Sequence, residues 1–98
     1  MEELKINIDG IEHIAQMPKA AVWRKFMKFD DEKKTMKLRD YIDKHAEMIA
    51  LVFDDEVTAD KVLENFDLNK IIPFYNDVFV WVITLITGKL DKIPNAVS

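Results

Sequence analysis

The sequence contains no cysteine and only two glycines and three prolines among its 98 residues. Without cysteine, the chain has no disulfide framework, no thiolate zinc site and no cysteine nucleophile. Serine occurs only as Ser98, and no glycine-rich phosphate loop is present. These absences exclude several common kinds of enzyme site.

The chain also has no excess of positive charge and no long apolar run. The net charge is −4, whereas a duplex-binding domain usually carries a basic face. The most apolar stretch, residues 78–86, is too short for a membrane span, which needs ~20 residues. Residues 1–5 are acidic and polar, unlike a signal peptide. We therefore expect a cytoplasmic protein with no nucleic-acid partner and no membrane span.

A hairpin signal lies near the N-terminus. Asp9-Gly10 separates two short apolar-alternating runs, and this dipeptide favours a two-residue turn in which both residues have φ > 0. If Ile8 pairs with Ile11, His13 lies on the apolar face. Ile14 then lies on the opposite face, which would call for a bulge or a covered second face.

Apolar residues at three- and four-residue steps predict four helices, over residues 19–29, 34–53, 59–65 and 68–87. Pro18 suits the start of the first helix and Thr58 the N-cap of the third. Asp67 or Asn69 is expected to cap the fourth, which Gly88 ends. The acidic residues 30–32 are interpreted as a break or as the charged start of the second helix.

The predicted fold class is mainly α (α+β): a small helical domain of about four helices with an N-terminal β-hairpin. We expect a single domain over residues 1–98. It would comprise the hairpin at 1–16, the helical core at 18–88 and a short C-terminal tail at 89–98, in which Pro94 opposes regular structure.

Candidates for chemistry are few. His13 and His45 are the only histidines, and neither has a second histidine at metal-ligand spacing. His45 lies in an apolar helical stripe, which is typical of a core histidine with one satisfied nitrogen. Phe-Asp-Asp-Glu occurs at residues 29–32 and 53–56 but lacks the spacing of a calcium loop. We interpret these carboxylates as solvated loop residues and expect no catalytic, cofactor-binding or metal-binding site.

The aromatic residues are more informative. They lie on helical stripes and form either the core or, in part, an exposed surface that anchors another protein. The last helix is apolar on nearly all sides and needs extensive cover. The candidate partner-binding residues are Trp23, Phe26, Phe74 and Trp81. The candidates for self-association, which would make the protein a homo-oligomer, are Val80, Trp81 and Ile83.

The order of these features resembles a known family. A short segment at residues 4–14 contains a glycine turn, and the helix Ala-Val-Trp-Arg-Lys-Phe-Met-Lys-Phe follows at residues 21–29. Val-Phe, an acidic loop, Thr58 and a short helix come next, and Ile72-Pro73 opens the last helix. The chain resembles the tail assembly chaperones of siphophages and prophages of Gram-positive bacteria.

This resemblance implies a non-enzymatic protein of the host bacterial cytoplasm. It implies that the chain binds the phage tape measure protein, keeps it soluble and helps to recruit the major tail tube protein. It also implies absence from the finished virion. Many such proteins have a longer, frameshifted form, and Ser98 would then end the short form.

Two other functions remain open. The chain could be a small regulatory adaptor that binds a host factor, or a minor structural protein that stays in the tail. Gene order discriminates the adaptor, because a tail chaperone gene lies between those of the major tail protein and the tape measure protein. Analysis of purified virions discriminates the minor tail protein.

Overall fold

A computed structural model describes residues 3–88 and contains a two-stranded sheet and four α-helices within that range. This architecture confirms the predicted helical α+β domain with an N-terminal hairpin, while the predicted tail at 89–98 lies outside the described residues. In chain order the elements are β1 (Lys5–Ile8), β2 (Ile11–Ile14), α1 (Ala20–Glu32), α2 (Leu38–Ala50), α3 (Ala59–Asn65), a 3-10 turn (Leu68–Lys70) and α4 (Ile71–Thr87).

The hairpin has the predicted turn and register. Asp9 and Gly10 have φ values of 52° and 82°, and Ile8 pairs with Ile11. The antiparallel ladder runs without a bulge from that pair to the bond that the Ala15 N–H donates to the Leu4 carbonyl, at 2.8 Å. Of the two alternatives, the bulge is therefore absent from this hairpin, and Ile14 on the other face is 45% exposed.

Polar contacts join the hairpin turn to α3. The Asp9 N–H donates to Asn65 Oδ1 at 2.8 Å, and Lys61 Nζ donates to Asp9 Oδ2 at 2.8 Å. The Lys61 ammonium and the Asn65 amide hold the pKa of the Asp9 carboxyl below its usual value. Because an isolated hairpin is marginally stable in water, these contacts help to fix its position on the helical core.

The second strand is joined to the loop after α2. His13 Nδ1 lies 3.0 Å from Asp54 Oδ2, and the Gln16 N–H donates to the Val52 carbonyl at 2.8 Å. Asp54 Oδ1 also accepts the Glu56 N–H at 2.9 Å, which closes a local turn. The interpretation of Asp54 as a merely solvated carboxylate is therefore wrong, because its side chain connects the hairpin to this loop.

The boundaries of the first two helices differ from those predicted. α1 continues through the acidic residues to Glu32, and lysines one helical turn away pair with two of them: Asp30 with Lys33 at 3.5 Å and Glu32 with Lys28 at 3.9 Å. α2 begins at Leu38 and ends at Ala50, shorter at both ends than predicted. Residues 29–32 are thus helical whereas residues 53–56 form a loop, so the two Phe-Asp-Asp-Glu segments are not a structural repeat.

The structure confirms two of the three predicted ends of α3 and α4. Thr58 Oγ1 accepts the Lys61 N–H at 3.2 Å, which confirms Thr58 as the N-cap of α3. Asp67 makes no capping side-chain bond and Asn69 lies inside the 3-10 turn, so the predicted side-chain cap of the last helix is wrong. The Lys70 N–H bonds to the Asp67 carbonyl instead, at 2.9 Å. Gly88 ends α4 with φ 80°, as predicted.

Large rings fill the space between α1 and α4. Phe26 is completely buried, with its ring centroid 6.1 Å from that of Tyr75, and the Phe29 ring meets Tyr75 edge-on at 5.5 Å. Among residues 3–88, no hydrogen bond or ion pair joins α1 to another element. Apolar ring packing therefore holds α1 in place.

Two polar side chains lie inside this ring cluster. His45 Nδ1 donates to the Tyr41 carbonyl at 2.8 Å, which confirms the prediction of a core histidine with a satisfied nitrogen. The rings of Phe29 and Tyr75 are nearly perpendicular to the imidazole ring, at centroid distances of 4.8 and 4.7 Å. The Tyr75 hydroxyl is buried without a hydrogen-bond partner among the described residues, and burial raises the pKa of its phenol.

Acidification is expected to destabilise the fold through His45. Burial lowers the pKa of its imidazole. As the pH falls below about 6.5, the unfolded chain takes up a proton at His45 before the folded chain does, so the free energy of unfolding decreases. Thermal melts between about pH 7.5 and about pH 5.5 should show this decrease in the wild type and a flatter dependence in His45→Gln. Equal pH dependence in both proteins would contradict the assignment.

Candidate partner-binding surface

The structure divides the four predicted anchor residues into two groups. Phe26 is completely buried among the rings of Tyr75 and Phe79, so it contributes to the core and not to an exposed surface. Phe74 is half-buried between Phe53 and Phe66, at centroid distances of 6.5 and 5.1 Å. Trp23 and Trp81 are half-buried like Phe74, so burial removes only Phe26 from the accessible anchors, and Phe74 lines a separate cleft of about 340 Å³.

The tryptophans line neighbouring clefts beside the C-terminal half of α4. Trp23 stacks on Phe79 at 6.0 Å and lines a cleft of about 210 Å³ between the start of α1 and α4. Trp81 lines a cleft of about 190 Å³ between the open end of the hairpin and α4. Met17 and Leu85 line both clefts, so the two clefts form one continuous surface.

We call this region the Met17 surface and define it by Ile14, Met17, Trp23, Trp81, Leu85 and Ile86. Met17 is 74% exposed, Ile86 59% and Ile14 45%. Contiguous exposed apolar side chains on a small protein are typical of a surface that another molecule covers. Methionine suits such a surface because its flexible thioether adapts to irregular contacts.

The predicted self-association residues lie on the same helix. Val80 is 41% exposed, and Trp81 and Ile83 are half-buried. The buried side of α4 is formed by Ile71, Tyr75, Val78 and Val82. Among the described residues, the other helices therefore cover one side of α4 and leave Val80 accessible.

One group of potential metal ligands lies away from this surface. Single donor atoms of His13, Asp54 and Glu56 lie within 4.8 Å of one another. The bond between His13 and Asp54, together with the turn that Asp54 closes with Glu56, accounts for their proximity without an ion. Sequence reasoning missed this contact because its two partners are 41 positions apart.

Leu68–Thr87 is long and apolar enough to cross a membrane by length and composition alone. The core helix of a soluble protein satisfies the same test; one side of α4 packs against the core, and 22% of the stretch is buried. Exposed Lys70 and Asp77 within this stretch would be costly in a bilayer.

The Met17 surface consists of two small clefts lined mainly by apolar side chains. Its clefts are smaller than the ~300 Å³ at which small-molecule pockets begin. The fold is a small α+β domain that exposes an apolar surface. Residues 1–93 match the sequence model of a family described as phage tail chaperone protein, and the chain belongs to this family. No curated protein and no solved structure matches it.

Membership of this family settles the general role. The chain is a phage tail chaperone, a role that is not enzymatic, and its partners are phage tail proteins. Tail chaperones act in the host cytoplasm during assembly.

Proposed function

We propose that this chain binds the tape measure protein of its own phage, keeps it soluble and leaves before the virion is complete. The Met17 surface carries the proposal. A tape measure protein is a long helical chain with apolar stripes, which aggregate in water before the tail is built. An exposed apolar surface with two clefts suits such a helix.

The rest of the molecule supports the soluble state of such a complex. The chain has a net charge of −4, and its charged side chains lie mainly on exposed positions. A bound copy would replace an apolar stripe by a charged outer surface, which opposes aggregation. Many copies along one target would bind by avidity even if each contact were weak. We propose that the coated tape measure protein then recruits the major tail tube protein.

Affinity capture tests the proposed binding. The tagged chain, co-expressed with the tape measure protein of the same phage, is expected to retain it. Met17→Glu should reduce this capture, because it places a charge between the two clefts. Leu38→Glu is the matched control, because Leu38 is 85% exposed and lies at the start of α2, outside the Met17 surface. Equal capture by the two variants would contradict the assignment of the surface.

Mass spectrometry of purified virions tests the proposed departure of the chain. We expect the tape measure protein to be detected and this chain to be absent. Its presence at a fixed ratio to the tape measure protein would identify a minor structural component of the tail instead.

We also propose that the chain self-associates through Val80, Trp81 and Ile83 on α4. Val80→Asp is expected to dissociate the oligomer without unfolding it, because Val80 is already partly exposed. Light scattering measures the mass and circular dichroism the helix content. A wild-type protein that stays monomeric at high concentration would contradict the proposal, and so would a Val80→Asp variant that unfolds.

A further inference from the structure

Each cleft of the Met17 surface carries one charged side chain, and the two charges are opposite. Glu3 lines only the cleft of Trp81, and Lys19 lines only the cleft of Trp23. Neither forms an ion pair with any other residue between 3 and 88. The surface is therefore apolar in the middle and oppositely charged at its two clefts.

The start of α1 adds to the positive electrostatic potential around Lys19. Lys19 occupies the N-cap position of α1, and its side chain makes no capping hydrogen bond. The first N–H groups of a helix carry partial positive charge and lack partners within the helix. The Trp23 cleft therefore combines the Lys19 ammonium with the N-terminal end of α1, and both favour a negative group on whatever binds there.

The two clefts adjoin, so neighbouring side chains of one helix could enter both. Met17 contributes to both clefts and so lies between them. On a helix, side chains three or four positions apart project from the same face. Two large apolar side chains at that spacing would enter the two clefts, with Met17 packed between them, in the manner of ridges packed into grooves.

We propose that the segment bound here is an amphipathic helix with a defined direction: it runs from the Glu3 cleft towards the Lys19 cleft. A basic residue lies about one turn before the first of its two apolar side chains and faces Glu3. An acidic residue lies about one turn after the second and faces Lys19. This inference rests on the proposed function and specifies the chemistry of the tape measure segment.

Two synthetic helices test the direction. Both have about 15 residues and the same composition, with leucines four positions apart on one face. One carries a lysine four positions before the first leucine and a glutamate four positions after the second, and the other has these two charges exchanged. Their affinities are measured by fluorescence anisotropy at low salt for the full-length wild type and for Glu3→Lys/Lys19→Glu. The ratio of the two affinities is compared between the proteins, because this comparison cancels the different intrinsic helicities of the peptides.

The double variant is expected to change that ratio about tenfold, in favour of the exchanged peptide, and high salt should reduce the change. The same ratio in both proteins would overturn the proposed direction. A wild-type dimer that the double variant abolishes would also overturn it, because a second copy would then occupy the surface. If the ratio is unchanged but the tape measure protein is still captured in a Met17-dependent manner, only the direction fails. Loss of that capture would overturn the proposed function as well.

Discussion

Replacing Phe26 by alanine is expected to lower the free energy of unfolding by about 3–5 kcal/mol. The Phe26 ring is completely buried, and it contacts Tyr75 and Phe79 at centroid distances of 6.1 and 6.2 Å. Truncation would leave a cavity in the ring packing that holds α1 on α4. Since small domains have a total stability of about 5–15 kcal/mol, this loss is large. Urea denaturation followed by circular dichroism measures it.

Trp23→Ala is the control for this experiment. Trp23 lies on the same helix and stacks on Phe79, but it is only half-buried, so it should lose clearly less stability than Phe26→Ala. A loss below about 1 kcal/mol for Phe26→Ala would be too small for a buried ring and would place Phe26 near the surface.

Replacing Trp81 by alanine is expected to weaken binding of the tape measure protein by about 30-fold, or about 2 kcal/mol. Trp81 lines one of the two clefts, and large aromatic side chains at the centre of an interface are the usual hot spots. Isothermal titration with a soluble helical fragment of the tape measure protein measures the change. Raising the salt concentration should weaken this binding much less than Trp81→Ala does, because apolar burial provides most of it.

Leu38→Ala provides the matched control for Trp81→Ala. It also truncates an apolar side chain, but one that lies outside the Met17 surface, and its affinity should equal that of the wild type. Because Trp81 is half-buried, thermal melts must show that the variant remains folded. A folded Trp81→Ala variant with unchanged affinity would remove Trp81 from the interface.

Much of the fold could be predicted because its signals are local. Asp9-Gly10 specifies the hairpin turn, Thr58 the start of α3 and Gly88 the end of α4. The acidic end of α1 was misread because composition alone does not show whether a carboxylate interrupts a helix or pairs with a lysine one turn away. The cap of the last helix failed because a 3-10 turn satisfied the backbone instead.

The candidate site was only partly predictable. Residue type pointed to Trp23 and Trp81, and both line the Met17 surface. The same reasoning selected Phe26, because helical spacing defines a face without showing whether another helix covers it. Met17 was missed because the surface joins the hairpin, the start of α1 and the end of α4, which are distant in sequence.

The polar anchors of the hairpin were missed for a related reason. His13 was correctly expected on the apolar face, and the structure buries it there. Its partner, Asp54, belongs to an acidic cluster in which no residue stands out by composition. Only the tertiary fold, which brings β2 beside the end of α2, identifies this particular carboxylate.

The solubility of the tape measure protein tests the proposed function most directly. It would be expressed in bacteria alone, with this chain, and with the Met17→Glu variant, and the soluble fraction would be quantified after centrifugation. We expect the protein to be largely insoluble alone, soluble with the wild-type chain and again largely insoluble with the variant. Equal solubility in all three cultures, with no complex recovered by affinity capture, would contradict the proposal that this chain is the chaperone of the tape measure protein.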